Sequence, residues 1–537
     1  MLKKALKIIA FLLLVVLVFF AVQKVLTPSW NHYQGCDNSV QGFFALDRNS
    51  IDVLFLGTSH VIYGISPMTL YEQTGIRSYN LATSAQPIEC SYILLKQAFE
   101  TQSPKIVFLD VSHMFDDKSN FASYYRNVMD NLYGRSAYLE FAEIYSETEG
   151  NDGLWSAVFP IIKYHTRWSE LSYDDLKSAH GIYYSMGQFV HSYAGSPAST
   201  LESLEKYNSR LFKREQNRIA ASGRDGDGAD VSADPVYRPR ISETFGKYLD
   251  KIIDLCNQHE ATLILMNIPA MKNALSGGWS TIKQEAAVQF ADQHDLYFLD
   301  MHYADLIDPA HDYMDGGGHL NLRGSETITN YIGDFLCTNF PQLPSIGTRN
   351  EQFDRAFLQF EKVRSVAYFN MEYDLTAYLH LLNEQKDHLT IVISSKSNYV
   401  PGLQEREIEA LSMLGLELFE EGKPYDTYLA VIQNGKVVRE KVSDRRLTYT
   451  ATLGGHEFSI ATNSAYDKGA NTIAIDGVEY SLNKAGLNIV VFDNETGLPI
   501  DSVNFATNQD TNIATRTKST IGSMFRAYEK AIMQASR

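Results

Sequence analysis

The sequence predicts an α/β protein in two folded parts behind one apolar N-terminal helix, and three observations carry that expectation. From residue 51 onward, short apolar runs ending near Gly, Asp or Pro alternate with amphipathic helical stretches, as in a parallel sheet covered by helices. Past residue 350 the pattern changes to strands joined by tight turns, as in a mixed α/β domain built on hairpins. Before both stands an uninterrupted apolar run, Ile8–Val22. At 537 residues the chain exceeds what one ordinary core encloses, so two or three folded units are expected.

The apolar run reads "IIAFLLLVVLVFFAV" and is extended by Ala5 and Leu6 before it and by Val25 and Leu26 after Lys24. About 20 residues at about 1.5 Å each cross a hydrocarbon layer, and Lys24 can snorkel to the outer interface. Lys3, Lys4 and Lys7 precede the run, so the positive-inside rule keeps this end in the cytoplasm and puts the rest outside. A cleaved signal peptide is the alternative, but no small-x-small pattern follows "VFFAVQKVL". Residues 1–27 are therefore assigned as a cytoplasmic tip and an uncleaved anchor.

Within the first folded part, residues 31–343, the strand-like runs are "VLFLG" (Val53–Gly57), "KIVFLDV" (Lys105–Val111), "TLILMNIP" (Thr262–Pro269) and "LYFLDM" (Leu296–Met301). The stretch "ISETFGKYLDKIIDLCNQHE" is helical between them, and "NLRGSETITNYIGDFL" (Asn321–Leu336) closes the unit as a helix with apolar residues three and four apart. A helical insertion, about residues 118–243 and rich in Tyr and Trp, separates the second run from the third. Near its end "SGRDGDGADVSADP" (Ser222–Pro235) has too few apolar residues to pack and is expected to form a mobile loop.

The second folded part covers residues 353–537. Its strands are expected in "HLTIVISSKS", "YDTYLAVIQNGKVVREKVS", "TIAIDGVEYSL" and "GLNIVVFDNETGLPIDSVNFAT", with Asn-Gly, Asp-Gly and Glu-Thr-Gly turns, and a helix in "QEREIEALSMLG".

Charge narrows the partners. Lys plus Arg number 47 against 64 Asp plus Glu, a formal net charge of −17, which makes nucleic acid and anionic lipid headgroups poor partners for the main body. Cys36, Cys90, Cys256 and Cys337 lie far apart with no C-x-x-C pair. This spacing signals no zinc site and leaves room for one or two long-range disulfides.

The chemistry concentrates in two stretches. "DVLFLGTSHVIYG" (Asp52–Gly64) ends a buried strand with Ser59, where a hydroxyl can point to the carboxyl edge of a sheet. A turn or a helix cap is the alternative reading of such a serine. A nucleophilic serine needs a base in hydrogen-bond reach and a group that orients the base. "DYMDGGGHLNLRGSE" (Asp312–Glu326) offers Asp315 and His319 on a glycine-rich loop before the last helix. A surface turn, or a histidine capping that helix, is the alternative there.

The early "FLGTSHVIYGISP" and the late "HLNLRGSETIT", separated by parallel-strand runs, resemble the SGNH/GDSL hydrolase superfamily over about Ser39 to Leu343. The likeness is to the membrane-anchored bacterial branch that acts beside membrane-bound O-acyltransferases. It implies a flavodoxin-like parallel sheet, with Ser59 as nucleophile, His319 as general base and Asp315 as the orienting acid. The backbone N–H groups of Ser59 and Ala82 would form the oxyanion hole. Asp315 stands four residues before His319 where the family's acid stands three before, and Asp312 is the weaker substitute. The family's asparagine after the third strand is missing from "FLDVSHMF" (Phe108–Phe115), and one lost oxyanion donor costs about 10²- to 10³-fold in turnover.

His60 is expected at the mouth of the site or turned away from it. "KYHTRWSEL" (Lys163–Leu171) groups His165, Arg167 and Trp168, as core packing with a buried ion pair or as a lid that binds sugar or carboxylate. The segment "GLNIVVFDNETGLPIDSVNFAT" (Gly486–Thr507) resembles the interleukin-like inducer domain. Its hairpin comes late, as if permuted, and Ala506 replaces the usual aspartate. The likeness implies a glycan-binding module, with a structural cap or oligomerisation module as the alternative.

The function these features imply is an extracytoplasmic O-acyl transferase or esterase, acetyl in preference, on a cell-surface polysaccharide or wall polymer. A membrane-bound O-acyltransferase is the implied partner, and no metal or organic cofactor is required. The competing class is a non-catalytic scaffold of the same fold that binds glycan or the acyltransferase.

Overall fold

A computed structural model describes residues 2–27, 37–115, 239–270, 281–314, 318–464, 469–509 and 513–535. Between 116 and 238 it describes 125–129, 139–142, 144–145, 159–169, 184–190 and positions 132, 155 and 171. The Ser222–Pro235 loop and most of the helical insertion expected above lie outside the described residues. The protein is a mixed α/β chain with a parallel five-stranded sheet, further antiparallel sheets and one apolar N-terminal helix. It divides into two compact units, with the boundary in the chain between Leu358 and Gln359 and the short piece Val190–Ser196 assigned to the second.

The N-terminal helix α1 runs Leu2–Leu26. Its window Lys3–Leu26 is long and apolar enough to cross a membrane, and most of its side chains are exposed. By length and composition it fits an anchor or a signal sequence.

In the first unit, α2 (Asp37–Phe44) leads to β1 (Val53–Gly57), then α3 (Ser59–Gly64), α4 (Pro67–Thr74), β2 (Ser78–Ala82), α5 (Ile88–Thr101) and β3 (Ile106–Asp110). Further on come β4 (Thr262–Asn267) and β5 (Tyr297–Asp300). The sheet order is β2-β1-β3-β4-β5, all parallel, the doubly wound order in which successive crossovers leave β1 in opposite directions. Strands β1, β2 and β3 are buried along their whole length, so they read as continuous apolar runs rather than alternating ones. Phe55 and Phe108 stack across β1 and β3 with centroids 4.9 Å apart, inside a core that also takes Val61, Ile62, Met266, Ile328 and Ile332. The helix Leu322–Asn339 covers this core, and its N-cap is Asn321, whose side chain accepts from the Gly324 N–H. The helix cap considered for His319 therefore belongs to Asn321.

The second unit holds an antiparallel six-stranded sheet and a four-stranded one. Its strands in chain order are β8 (Leu389–Lys396), β9 (Thr427–Gln433), β10 (Lys436–Ser443), β11 (Thr448–Leu453), β12 (His456–Ala461), β13 (Thr472–Ile475), β14 (Val478–Glu479), β15 (Gly486–Asp493), β16 (Leu498–Phe505) and β17 (Ala514–Thr515). The numbers β6 and β7 belong to a short hairpin of the first unit, described below. The larger sheet has the order β10-β9-β8-β15-β16-β17, the smaller β11-β12-β13-β14. Asn434-Gly435 and Asp476-Gly477 turn their hairpins with positive φ at both residues, as a type I′ turn requires. Phe458, Ile460, Ile473, Val490 and Phe492 share the core beneath the two sheets. A buried pair, Arg516 to Asp501 at 3.0 Å, is completed by the Tyr378 hydroxyl donating to Asp501 at 2.9 Å.

Candidate active site

The register of the parallel sheet builds the site. Gly57 lies opposite Ala82, and Leu56 lies opposite Leu109, so the carboxyl ends of β1, β2 and β3 stand side by side. The chain leaves β1 for β2 on one side while β3 and β4 follow on the other. The crevice at this reversal is where open α/β sheets receive ligands.

Ser59 opens α3 directly after β1. Thr58 is the N-cap, and its hydroxyl accepts from the His60 N–H at 3.3 Å. The same hydroxyl donates to Asp110 Oδ2 at 2.7 Å, and the Thr58 N–H points to that oxygen at 3.4 Å. Asp110 also accepts the Ser112 N–H at 3.0 Å and the Ser112 hydroxyl at 3.0 Å. This buried carboxylate ties the end of β3 to the turn that carries Ser59. The tie needs close approach: a Cβ on Gly57, whose φ is +156°, would stand 2.4 Å from Asp110 Cβ and 2.7 Å from Val61 Cγ2.

His319 arrives from the far end of the unit. It lies in β7 (His319–Leu320), which pairs antiparallel with β6 (Tyr313–Met314). Its Nε2 stands 2.8 Å from Ser59 Oγ across 260 residues of sequence. With the ring proton on Nδ1, Nε2 accepts the serine hydroxyl, the geometry a general base requires. Tyr63, one helical turn after Ser59, lays its ring against His319 at 4.7 Å and against Phe189 at 5.4 Å. His60 packs between two imidazoles, 5.7 Å from His319 and 6.4 Å from His113. It therefore borders His319.

The remaining expected residues are distributed as follows. Asp315 lies outside the described residues. Asp312, the substitute acid, accepts the Asp308 N–H at 2.9 Å. Burial raises its carboxyl above the ordinary range, although that bond and Arg323 pull the other way. Ala82 ends β2, and its carbonyl accepts the Ser39 hydroxyl at 2.7 Å. His165 and Arg167 belong to the short 3₁₀ turn His165–Ser169, in which no residue is buried. The core packing considered for that stretch is thus not what the fold makes of it. His165 Nδ1 meets the Ile162 carbonyl at 2.9 Å, and Arg167 donates to the Leu26 carbonyl at 3.1 Å, at the end of α1. Cys90, Cys256 and Cys337 are free thiols, and burial pushes Cys256 up to about 12. The long-range bridges their spacing allows are not formed among them, and Cys36 lies outside the described residues.

A cavity of about 40 Å³ adjoins the turn that carries Ser59, with Thr58, Asp110, His113, Glu89, Tyr125 and Ser242 in its lining. Glu89, buried in the first turn of α5, accepts the Tyr125 hydroxyl at 2.9 Å. Sequence reasoning passed over Asp110, Tyr63 and His113. An aspartate closing a parallel-strand run, and an aromatic residue four after a strand-end serine, were the available signals.

No protein-family model matches the chain, and no curated protein matches it.

Proposed function

We propose that the protein is a serine-dependent O-acyl transferase or esterase of the SGNH type, held at the outer face of a bacterial membrane by α1. The observation that carries this reading is the 2.8 Å contact between Ser59 Oγ and His319 Nε2 at the carboxyl edge of the sheet. A strand-end turn alone explains a serine; it does not explain an imidazole brought to its hydroxyl from 260 residues away.

In the proposed reaction Ser59 Oγ attacks the carbonyl carbon of an acyl ester while its proton passes to His319 Nε2. The tetrahedral oxyanion is held by the backbone N–H groups of Ser59 and Ala82, with Asp315 orienting the imidazole. Collapse breaks the ester bond, and the leaving alcohol takes the proton from His319. An acceptor hydroxyl, or water in an esterase, then gives its proton to His319 and attacks the acyl-serine, and Ser59 recovers its proton as the product leaves. The cell-surface glycan or wall polymer as acceptor, acetyl as the acyl group, a membrane-bound O-acyltransferase as partner and a glycan-binding role for the interleukin-like second unit are parts of the same proposal. So is the topology, with the N-terminus in the cytoplasm. His165 and Arg167 have no part in the chemical step as proposed.

One observation favours a second reading. β3 ends in Asp110, a carboxylate filled by Thr58 and Ser112, where an asparagine would donate to an oxyanion. A glycan-binding scaffold needs no such donor. The two readings part in the intact mass of the full chain after brief incubation with an activated acetyl ester, beside Ser59→Ala. The expected outcome is a single acetyl adduct that the variant lacks. Absence of the adduct, with negligible ester hydrolysis in both proteins, would leave the scaffold.

A further inference from the structure

One stripe of α1 is covered while most of the rest is bare. Phe19, Gln23, Val25 and Leu26 are partly or fully buried while residues 3–18 of the helix are exposed, and the i, i+4, i+7 spacing of Phe19, Gln23 and Leu26 makes them one face near the helix's outer end. The cover comes from Trp155 and the stretch 159–169. Phe159 packs its ring on Phe19 with centroids 5.9 Å apart, Trp155 stacks on Phe159 at 5.9 Å, and Arg167 bonds the Leu26 carbonyl.

The depth of these contacts follows from helix geometry. Seven residues separate Phe19 from Leu26, about 10 Å along the axis at about 1.5 Å each. If α1 spans a bilayer with Leu26 at the outer headgroups, whatever packs on Phe19 sits about 10 Å inside that level. Interfacial segments rest about 5–10 Å into the headgroup and acyl boundary. The outward side of the segment has the matching chemistry: Trp168 is 73% exposed, Trp155 59% and Ile162 51%. Tryptophan favours that boundary because an apolar ring and an N–H donor are both accommodated there.

We infer that Trp155 and residues 159–169 form a membrane foot, a part of the globular unit that lies in the outer leaflet of the bilayer beside α1. The inference rests on α1 being a membrane anchor and is independent of the reaction proposed for Ser59. Its driving force is apolar and aromatic, so it acts on zwitterionic lipid in spite of the chain's net charge of −17. A foot of this kind fixes the height and tilt of the globular unit above the membrane, and with them the reach of Ser59.

The test is tryptophan quenching in the full chain, reconstituted in phosphatidylcholine vesicles with or without bromine on the acyl chains near the glycerol end. Wild type is compared with Trp155→Phe and Trp168→Phe, both exposed positions where Phe disturbs little packing. The emission difference from wild type isolates each tryptophan and is expected to fall about twofold or more in brominated vesicles, as for rings seated in the boundary. Phe19→Trp reports on the anchor and should add quenchable emission. If Phe19→Trp is quenched but the emission lost at 155 and 168 is insensitive to bromine, the foot is overturned and the anchor stands. If Phe19→Trp is not quenched, the anchor reading fails and the foot falls with it.

Discussion

Gly57 and Asp110 show how little space the turn that carries Ser59 has. With Gly57 at φ +156° and a built Cβ only 2.4 Å from Asp110 Cβ, Gly57→Ala must push β1 and β3 apart or displace the carboxylate from Thr58. Overpacking of this kind costs about 1–3 kcal/mol. Urea unfolding should show that loss, and acylation of Ser59 should fall with it because the Thr58–Asp110 bond aims the turn. An unchanged midpoint would mean that the strand ends yield more easily than their packing implies. The serine and the histidine were both legible in the sequence, since each stands in a motif at the end of a recognisable element. Asp110 was visible as a residue and silent as a partner, because its role is a contact with Thr58, 52 positions away, that becomes local only when β1 and β3 pair.

The β6–β7 hairpin carries His319, the base of the proposed reaction, and beside it stands a carboxyl that burial disfavours in its charged form. Asp312 is buried and its carboxyl titrates above the ordinary range. A raised value in the folded state gives stability that is whole below the unfolded value, about 3.9, and lost as pH rises through the folded one. Asp312→Asn removes that loss while its side-chain oxygen can still accept the Asp308 N–H. The variant should melt higher than wild type near neutral pH, and the gap should close below about pH 3.9. A variant no more stable at neutral pH would show that Arg323 and the Asp308 N–H already offset the burial. Among the elements, the strands at 53–57 and 106–110 lie inside their apolar runs, because burial on both faces leaves a continuous signal. The pair β11 and β12, "TYTATLGGHEFSIA", was not anticipated. Its exposed positions are threonine, serine and glutamate, which dilute the apolar alternation.

Across the whole molecule, the described residues of the candidate site belong to the first unit, while the second keeps its own core and its own buried ion pair. Arg516→Ala would leave Asp501 buried without its cation, a loss of about 3–5 kcal/mol. Amide exchange in β8 and β15 should accelerate, whereas the acetyl adduct at Ser59 should form as in wild type. Loss of the adduct would mean that the first unit depends on the second for its active geometry. The sequence by itself determined the apolar helix, the α/β class, the change of pattern near residue 350 and the two motifs that carry Ser59 and His319, because periodicity, turn residues and strand-end chemistry are written in neighbouring positions. Only the tertiary structure decided the order β2-β1-β3-β4-β5, the 2.8 Å meeting of Ser59 and His319, the carboxylate behind the turn and the aromatic segment beside α1. Each of those depends on which surfaces bury each other across long stretches of chain, and loop closure leaves no local mark of that choice.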